Sequence, residues 1–218
     1  MPKQRLALIG IILTAAYLRF FNLGSPKELV FDEVYYVNGA QDYLRDGVET
    51  AAGKAEFVVH PPIGKWMIAL GIKIFGDDPF GWRFSAALIG TISIFLIYLV
   101  ARKLFHSEKL GLIAAALMSL DGLHLVMSRT ALLDIFLMFF ILLSFLALLY
   151  DRHWLAALSL GLALGTKWSA LYFIAAIMIY YLVKVRKIPF PYIISIPIVY
   201  ITSWLGWFTS DKGWSRDF

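Results

Sequence analysis

Long apolar runs separated by short polar connections occupy most of this sequence, and they restrict the fold more than any other feature. The chain is 60% hydrophobic and 16% charged, whereas soluble domains carry roughly 25% charged residues. Its mean hydropathy is +0.73. These values predict an all-α polytopic membrane protein rather than a soluble enzyme or a nucleic-acid-binding domain.

The apolar runs predict about seven membrane spans at about 20 residues per crossing. The first run follows Lys3 and Arg5 and lacks a small-residue cleavage site, so we interpret it as a retained span and not as a signal peptide. The predicted spans are Leu6–Phe21, Gly81–Leu104, Leu110–Leu125, Thr130–Tyr150, Trp154–Gly165, Trp168–Val183 and Phe190–Phe208.

Basic residues cluster at the ends of these runs and indicate the orientation of the chain. Short loops rich in Lys and Arg stay in the cytoplasm. The net charge of +5 therefore indicates membrane orientation and not a nucleic-acid partner. The N-terminus is predicted to be cytoplasmic and the protein to be an integral, multi-pass membrane protein. Only Glu108 and Asp151 among the acidic residues fall on the inner side, which places the polar chemistry on the outer face.

The stretch between Trp154 and Val183 is predicted to form two short helices. Arg152 and the basic run at Lys184–Lys187 both favour the cytoplasm, so an even number of crossings must separate them. At about 1.5 Å per residue, Trp154–Gly165 reaches only about 18 Å, short of a hydrocarbon core of roughly 30 Å. The turn that contains Lys167 should therefore lie below the outer surface and line a cavity.

The first outer loop, residues 22–80, is the longest connection and is predicted to be functional. It contains one helix-like piece at Val34–Arg45 and a second that opens at Pro61-Pro62 and closes at Gly76. We expect the second helix to lie parallel to the membrane on the outer leaflet. The alternative, a crossing at this helix, would reverse the orientation of every later loop.

Ionisable residues in or beside membrane spans are costly, so they are candidates for a functional site. Purely structural roles stay open for some of them: a helix cap for the Asp32-Glu33 pair, interfacial cations for Arg83 and Arg129, and a loop residue for His60. Asp134 is predicted to pair with Arg129. The candidates on the outer face are Asp32, Glu33, His60, Lys65, Arg83, Asp121, His124, Arg129, Asp134 and Lys167.

No cofactor or metal site is predicted from the motifs. The four histidines are dispersed, the chain has no cysteine, and neither a Gly-rich phosphate loop nor a Ser-His-Asp spacing occurs. A divalent cation bound by the Asp32-Glu33 carboxylates stays open as an alternative, although no motif supports it.

Five motifs in order resemble the protein O-mannosyltransferase family, glycosyltransferase family 39: FDEVYYV, HPPIGKW, FGWRF, SLDGLHLVMSRTALLD and GTKWSALY. The resemblance implies a GT-C-type transmembrane fold and an active site on the outer face. It also implies an inverting transfer of mannose from polyprenyl-phosphate mannose to Ser or Thr hydroxyls of an acceptor protein. Asp32 matches the family's catalytic aspartate, and Glu33 would position or tune it.

The resemblance also assigns the other candidates. A departing lipid phosphate needs cations around it, and the residues for the phosphate or sugar are His60, Lys65, Arg83, Arg129 and Lys167. The supporting residues are Asp121, His124 and Asp134. Family members are longer, so we expect residues 1–218 to be a single transmembrane glycosyltransferase domain, the N-terminal half of a longer architecture, with the C-terminal half or a second subunit as partner.

Two other functions stay open at this point. One is a non-catalytic homologue or subunit that binds polyprenyl phosphate. The other is a lipid-carrier-dependent transferase that uses another sugar or another acceptor.

Overall fold

The computed structural model describes residues 2–51, 54–55 and 58–213. Two-residue strands β1 (Thr50–Ala51) and β2 (Lys54–Ala55) form a small antiparallel hairpin, and the other elements are helical. The helices are α1 (Pro2–Phe20), α2 (Glu33–Asp46), α3 (Ile63–Phe75), α4 (Pro79–Phe105), α5 (Glu108–Leu120), α6 (Gly122–Met127), α7 (Leu133–Leu149), α8 (His153–Leu164), α9 (Ala170–Tyr180) with a π-helical turn (Tyr181–Val185), α10 (Phe190–Ser203) and α11 (Leu205–Thr209).

Helix α4 lies at the centre of the fold and packs against α1, α3, α5 and α7. Its 27 residues correspond to a length of about 40 Å. In the part of the chain that the structure describes, α4 is the one helix both long and apolar enough to cross a membrane. Shorter apolar helices occupy residues 133–149, 153–164, 170–185 and 190–203. The number of spans therefore stays a prediction.

The two helices predicted in the first outer loop are confirmed as helices. Helix α2 ends at Gly47, whose φ of 75° is left-handed and therefore suits glycine. Helix α3 begins directly after Pro62 and ends before Gly76. Helices α3 and α4 approach so closely that a Cβ on Gly71 would lie 2.4 Å from the carbonyl oxygen of Gly81.

The helices of two predicted spans are interrupted. The helix in Leu110–Leu125 breaks at Asp121, whose backbone is extended and whose carboxylate accepts a 2.7 Å hydrogen bond from the His124 amide. This cap starts α6 as a new helix. The segment Phe190–Phe208 also divides, at Trp204 between α10 and α11, but no side-chain cap marks that break.

The predicted break between α8 and α9 is present at residues 165–169. The Ile63 amide donates a 2.9 Å hydrogen bond to the Gly165 carbonyl, so the turn is docked against the start of α3. Buried Ile63, Phe136 and Leu160 belong to one apolar core shared by α3, α7 and α8. This core holds the first residues of α3 and the turn after α8 at one end of the bundle.

Candidate active site

A cavity of about 340 Å³ opens where the start of α2 faces the segment before α3. Its wall combines carboxylate, imidazole, ammonium and tyrosine side chains. The lining residues are Asp32, Val34, Tyr35, Tyr36, Asn38, Gly39, Glu49, Val59, His60 and Lys65. The FDEVYYV and HPPIGKW motifs, distant in sequence, thus form one site.

Asp32 is the partly exposed carboxylate of this cavity. It precedes the first residue of α2, but its side chain makes no capping hydrogen bond there, so the alternative of a simple helix cap is not what the structure shows. Burial, the charges of Asp32 and Asp134, and a hydrogen bond to Asp32 raise the pKa of the Tyr36 hydroxyl to about 12. Tyr36 is therefore a protonated donor beside the Asp32 carboxylate.

Glu33, the next residue, points away from the cavity and is completely buried. Its carboxylate accepts hydrogen bonds from Arg83 Nε at 2.8 Å and Arg83 Nη2 at 2.7 Å. The Ala131 and Val30 amides also donate to it, at 2.8 and 2.9 Å. A carboxylate held by four donors joins α2, α4 and the loop before α7, and it has no free approach to a substrate.

Arg83 is 1% exposed and does not line the cavity. Besides Glu33, its guanidinium donates to the carbonyls of Leu23 at 3.4 Å, Pro26 at 2.7 Å and Glu28 at 3.0 Å. All its donor groups thus bind protein atoms. Arg83 was expected to contact a phosphate. Its observed geometry instead favours a positioning role.

Lys65 and His60 lie in the cavity wall. Lys65 is 4% exposed and forms an ion pair with Glu49. The pair lies against Gly39, where an added Cβ would be 2.9 Å from Glu49 Oε2. Burial, together with the positive charges of Lys167 and Lys65, lowers the pKa of His60. His60 is therefore a neutral imidazole, and within the described residues its Nδ1 has no hydrogen-bond partner.

Lys167 and Asp134 form an ion pair beside this site. Lys167 Nζ donates to both oxygens of Asp134, at 2.8 and 2.9 Å. The predicted pair of Asp134 with Arg129 was wrong, because the turn after α8 brings a closer cation to the first turn of α7. The electrostatic effects of Lys167 on His60 and of Asp134 on Tyr36 place this ion pair near the cavity.

Arg129, His124 and Asp121 form a second cluster at the end of α1. Arg129 Nη1 donates to the last carbonyls of α1, including Leu18 at 2.6 Å, a favourable position for a cation. The buried Arg19 side chain contacts His124, with 2.7 Å between Arg19 Nη2 and His124 Nδ1. Asp121 caps α6. None of the three predicted residues lines the first cavity.

A second cavity of about 390 Å³ lies beside Asp134. Its wall is mostly apolar, with Asp134 and His124 among its polar residues. The lining residues are Met118, Asp121, Leu123, His124, Met127, Asp134, Ile135 and Met138.

The sequence analysis missed Tyr36, Glu49 and Arg19 as site residues. A signal existed for Arg19, which is an ionisable residue at the end of an apolar run. Glu49 was not apparent, because nothing in the sequence shows which carboxylate meets Lys65 from 16 residues away. Over the described ranges, no group of three His, Asp or Glu side chains is placed to hold a metal ion.

Comparison with known proteins shows two family models that match the chain. Both are described as dolichyl-phosphate-mannose-protein mannosyltransferase, and they cover residues 9–82 and 59–207. A polyprenol-phosphate-mannose–protein mannosyltransferase of Mycolicibacterium smegmatis is 36% identical, over 98% of this chain and 52% of the relative. One from Mycobacterium tuberculosis is 39% identical, over 75% of this chain and 38% of the relative.

Two solved structures share the fold. The Saccharomyces cerevisiae protein O-mannosyltransferase Pmt1-Pmt2 complex, bound to the sugar donor, matches with a TM-score of 0.69 at 24% identity, over 94% of this chain and 32% of that one. ArnT from Cupriavidus metallidurans, bound to undecaprenyl phosphate, matches with a TM-score of 0.67 at 16% identity, over 92% and 40% of the two chains. The chain thus spans about half the length of the Mycolicibacterium smegmatis relative.

Proposed function

The chain belongs to the dolichyl-phosphate-mannose-protein mannosyltransferase family, and from that premise we propose that it transfers mannose from polyprenyl-phosphate mannose to Ser or Thr hydroxyls of an acceptor protein, with inversion at the anomeric carbon. The supporting observation is the cavity in which the partly exposed Asp32 carboxylate faces His60 and lies near Lys167. A proton acceptor and cationic groups around one cavity are what this reaction needs.

Asp32 is the proposed general base. A Ser or Thr hydroxyl is a weak nucleophile until a positioned base takes its proton. In the proposed step the proton goes to Asp32, the hydroxyl oxygen forms a bond to the anomeric carbon, and the bond from that carbon to the phosphate oxygen breaks with its electron pair leaving on the phosphate. In this proposal the Tyr36 hydroxyl donates a hydrogen bond to the Asp32 carboxylate.

The leaving polyprenyl phosphate takes the negative charge, which fixed donors and cations stabilise in a site of low dielectric constant. We propose Lys167 and neutral His60 as the groups that meet the phosphate, because His60 lines the cavity and the charge of Lys167 acts on its ring. Lys65, already paired with Glu49, contributes a buried positive charge to the wall.

The other predicted site residues receive positioning roles in this proposal. Glu33 and Arg83 fix the start of α2, and with it Asp32, against α4. Arg129, with Asp121 and His124, holds the end of α1 against α6. Asp134 orients Lys167.

The proposed orientation follows from the basic loops: the N-terminus is cytoplasmic, and the cavity faces the outer side of the membrane. The proposed partners are the lipid-linked donor, the acceptor protein and the surrounding membrane lipid. The solved Pmt1-Pmt2 structure is a complex, so we include a second subunit, or the remainder of a longer chain, among the proposed partners.

Transfer assays on membranes that contain the chain test this function. With polyprenyl-phosphate mannose and a Ser/Thr peptide, we expect Asp32→Asn to lower the rate by about 10²–10⁴-fold, the usual contribution of a general base. Glu28→Gln, which neutralises an exposed carboxylate of the same loop outside the cavity, is the matched control and should keep the rate. Unchanged transfer by Asp32→Asn would refute the base assignment.

A second candidate function keeps the lipid donor but changes the sugar. An undecaprenyl phosphate-α-4-amino-4-deoxy-L-arabinose arabinosyl transferase of Pseudomonas fluorescens is 35% identical over 50% of this chain. A panel of polyprenyl-phosphate sugars with peptide and lipid acceptors separates the two functions. Donor binding without transfer to any acceptor would instead favour a non-catalytic homologue.

A further inference from the structure

Another cavity, polar and of about 300 Å³, lies at the opposite end of α4 from the candidate active site. Arg83 near the beginning of α4 contacts the start of α2, whereas this cavity surrounds the last turn of the same helix, about 30 Å away along the axis. The lining residues are Arg102, Lys103, His106, Ser107, Glu108 and Tyr150. The cavity is therefore separate from the proposed transferase site.

The charged groups of this cavity are held in place by contacts between helices. Arg102 Nη1 lies 3.4 Å from Glu108 Oε1, and the Tyr98 hydroxyl donates to the other Glu108 oxygen. Lys103 Nζ lies 4.6 Å from the centre of the Tyr150 ring, a cation–π contact between α4 and the end of α7. The side chains are thus arranged before any ligand arrives.

The charge balance favours an anion. Arg102 and Lys103 supply two permanent positive charges, and the single acidic side chain of the wall, Glu108, is already engaged by Arg102 and Tyr98. Across the described part of the chain, no carboxylate lies within ion-pair distance of Lys103. His106 adds a polar ring, and Ser107, the N-cap residue of α5, adds a hydroxyl to the same wall.

We propose that this cavity binds the phosphate of an anionic phospholipid headgroup, in the membrane leaflet opposite to the candidate active site. An α-helix of about 40 Å ends here at a membrane surface, where lipid phosphates are the most abundant anions. Basic pockets between transmembrane helices bind such headgroups. The proposal does not depend on the transferase function.

Lipid binding to the full chain in nanodiscs or by native mass spectrometry tests the proposal, with dioleoyl phosphatidylglycerol as probe and dioleoyl phosphatidylcholine as the neutral reference. We expect the double variant Arg102→Gln/Lys103→Gln to lose about tenfold or more of the phosphatidylglycerol affinity, since each cation near an anionic surface contributes measurably. The conservative variant Lys103→Arg should retain it.

The matched control removes the same charge from the same predicted side without touching the cavity: Lys184→Gln/Lys187→Gln in the basic run after α9. A clearly smaller loss is expected there, because neither lysine lines the cavity. Equal losses in the two double variants would show non-specific attraction and overturn the proposal. Inorganic phosphate bound as tightly as the lipid would overturn the assignment to a headgroup. Each variant should melt at the temperature of the unmodified chain, which checks that it is folded.

Discussion

The adjacent residues Asp32 and Glu33 have opposite environments. One carboxylate faces a cavity, and the next is completely buried among four donors. On a helix, neighbouring residues project about 100° apart, so a pair at the start of α2 necessarily faces two directions. The division between a cavity-facing carboxylate and a buried one is therefore a consequence of where the helix begins.

The Glu33–Arg83 pair predicts a stability effect. Glu33→Gln would leave the guanidinium of Arg83 buried without its counter-charge, and removal of one partner from a buried pair costs about 3–5 kcal/mol. We expect a clear fall in the melting temperature of the solubilised protein and, as a consequence of folding, in its activity. Glu28→Gln, which neutralises an exposed carboxylate, should melt as the unmodified chain does; equal melting of Glu33→Gln would contradict the structural role.

His60 predicts a pH effect of defined sign. Its pKa is lowered in the folded protein from the ordinary value of 6.5, chiefly by burial, so the unfolded chain takes up a proton first as the pH falls. The contribution of His60 to the free energy of unfolding is intact above about pH 6.5 and is lost as the pH falls below it towards the folded pKa. Melting curves should show a shallower acid loss for His60→Gln; an unchanged slope would exclude this contribution.

At the residue scale, sequence reasoning identified side chains better than partners. Asp32, His60 and Lys65 line one cavity. They could be predicted to share a site because the family resemblance groups motifs that are far apart in the chain. The partner of Asp134 was not predictable from spacing. Arg129 is five positions away in the sequence, but Lys167 arrives from another helix through the docking of Gly165 on Ile63.

At the element scale, helix ends with strong local signals were predicted and those without them were not. Gly47 and Gly76 end α2 and α3, and Pro62 precedes α3. The break at Asp121 lies inside a continuous apolar run, where hydropathy gives no warning. The cap that Asp121 forms on α6 outweighs the apolar pattern there.

The contact between α3 and α4 predicts a packing effect. Gly71→Ala would put a methyl group 2.4 Å from a backbone oxygen of α4, which the helices can relieve only by moving apart. Overpacking of this kind costs about 1–3 kcal/mol, and thermal melting should show it. Gly10→Ala in α1, where an added Cβ meets nothing within 4 Å, is the control; an equal melting temperature for the two variants would contradict the close contact.

For the whole molecule, the arrangement of α8 and α9 determines where the Lys167 turn lies relative to the membrane. Helix α8 has 12 residues, about 18 Å, and the turn after it is docked on α3. If the two helices enter and leave as a hairpin, the turn is accessible only from the side on which the cavity opens.

Cysteine labelling tests that arrangement directly, because the chain contains no cysteine of its own. We expect a membrane-impermeant maleimide applied to intact cells to label Trp168→Cys, an exposed position beside the turn. Lys187→Cys, beyond the π-helical turn, should be labelled only after permeabilisation. The reverse pattern would invert the proposed orientation.

The contact between Arg19 and His124 restricts the proton chemistry of the molecule. A guanidinium only donates hydrogen bonds, so His124 Nδ1 must accept the one at 2.7 Å, and the proton of the neutral ring resides on Nε2. That nitrogen has no partner among the described residues, and its residue lines the cavity beside Asp134. In this tautomer the ring can donate a hydrogen bond through Nε2 but cannot accept a proton there. The cavity lined by His124 thus presents an N–H donor, whereas the cavity lined by Asp32 presents a carboxylate acceptor.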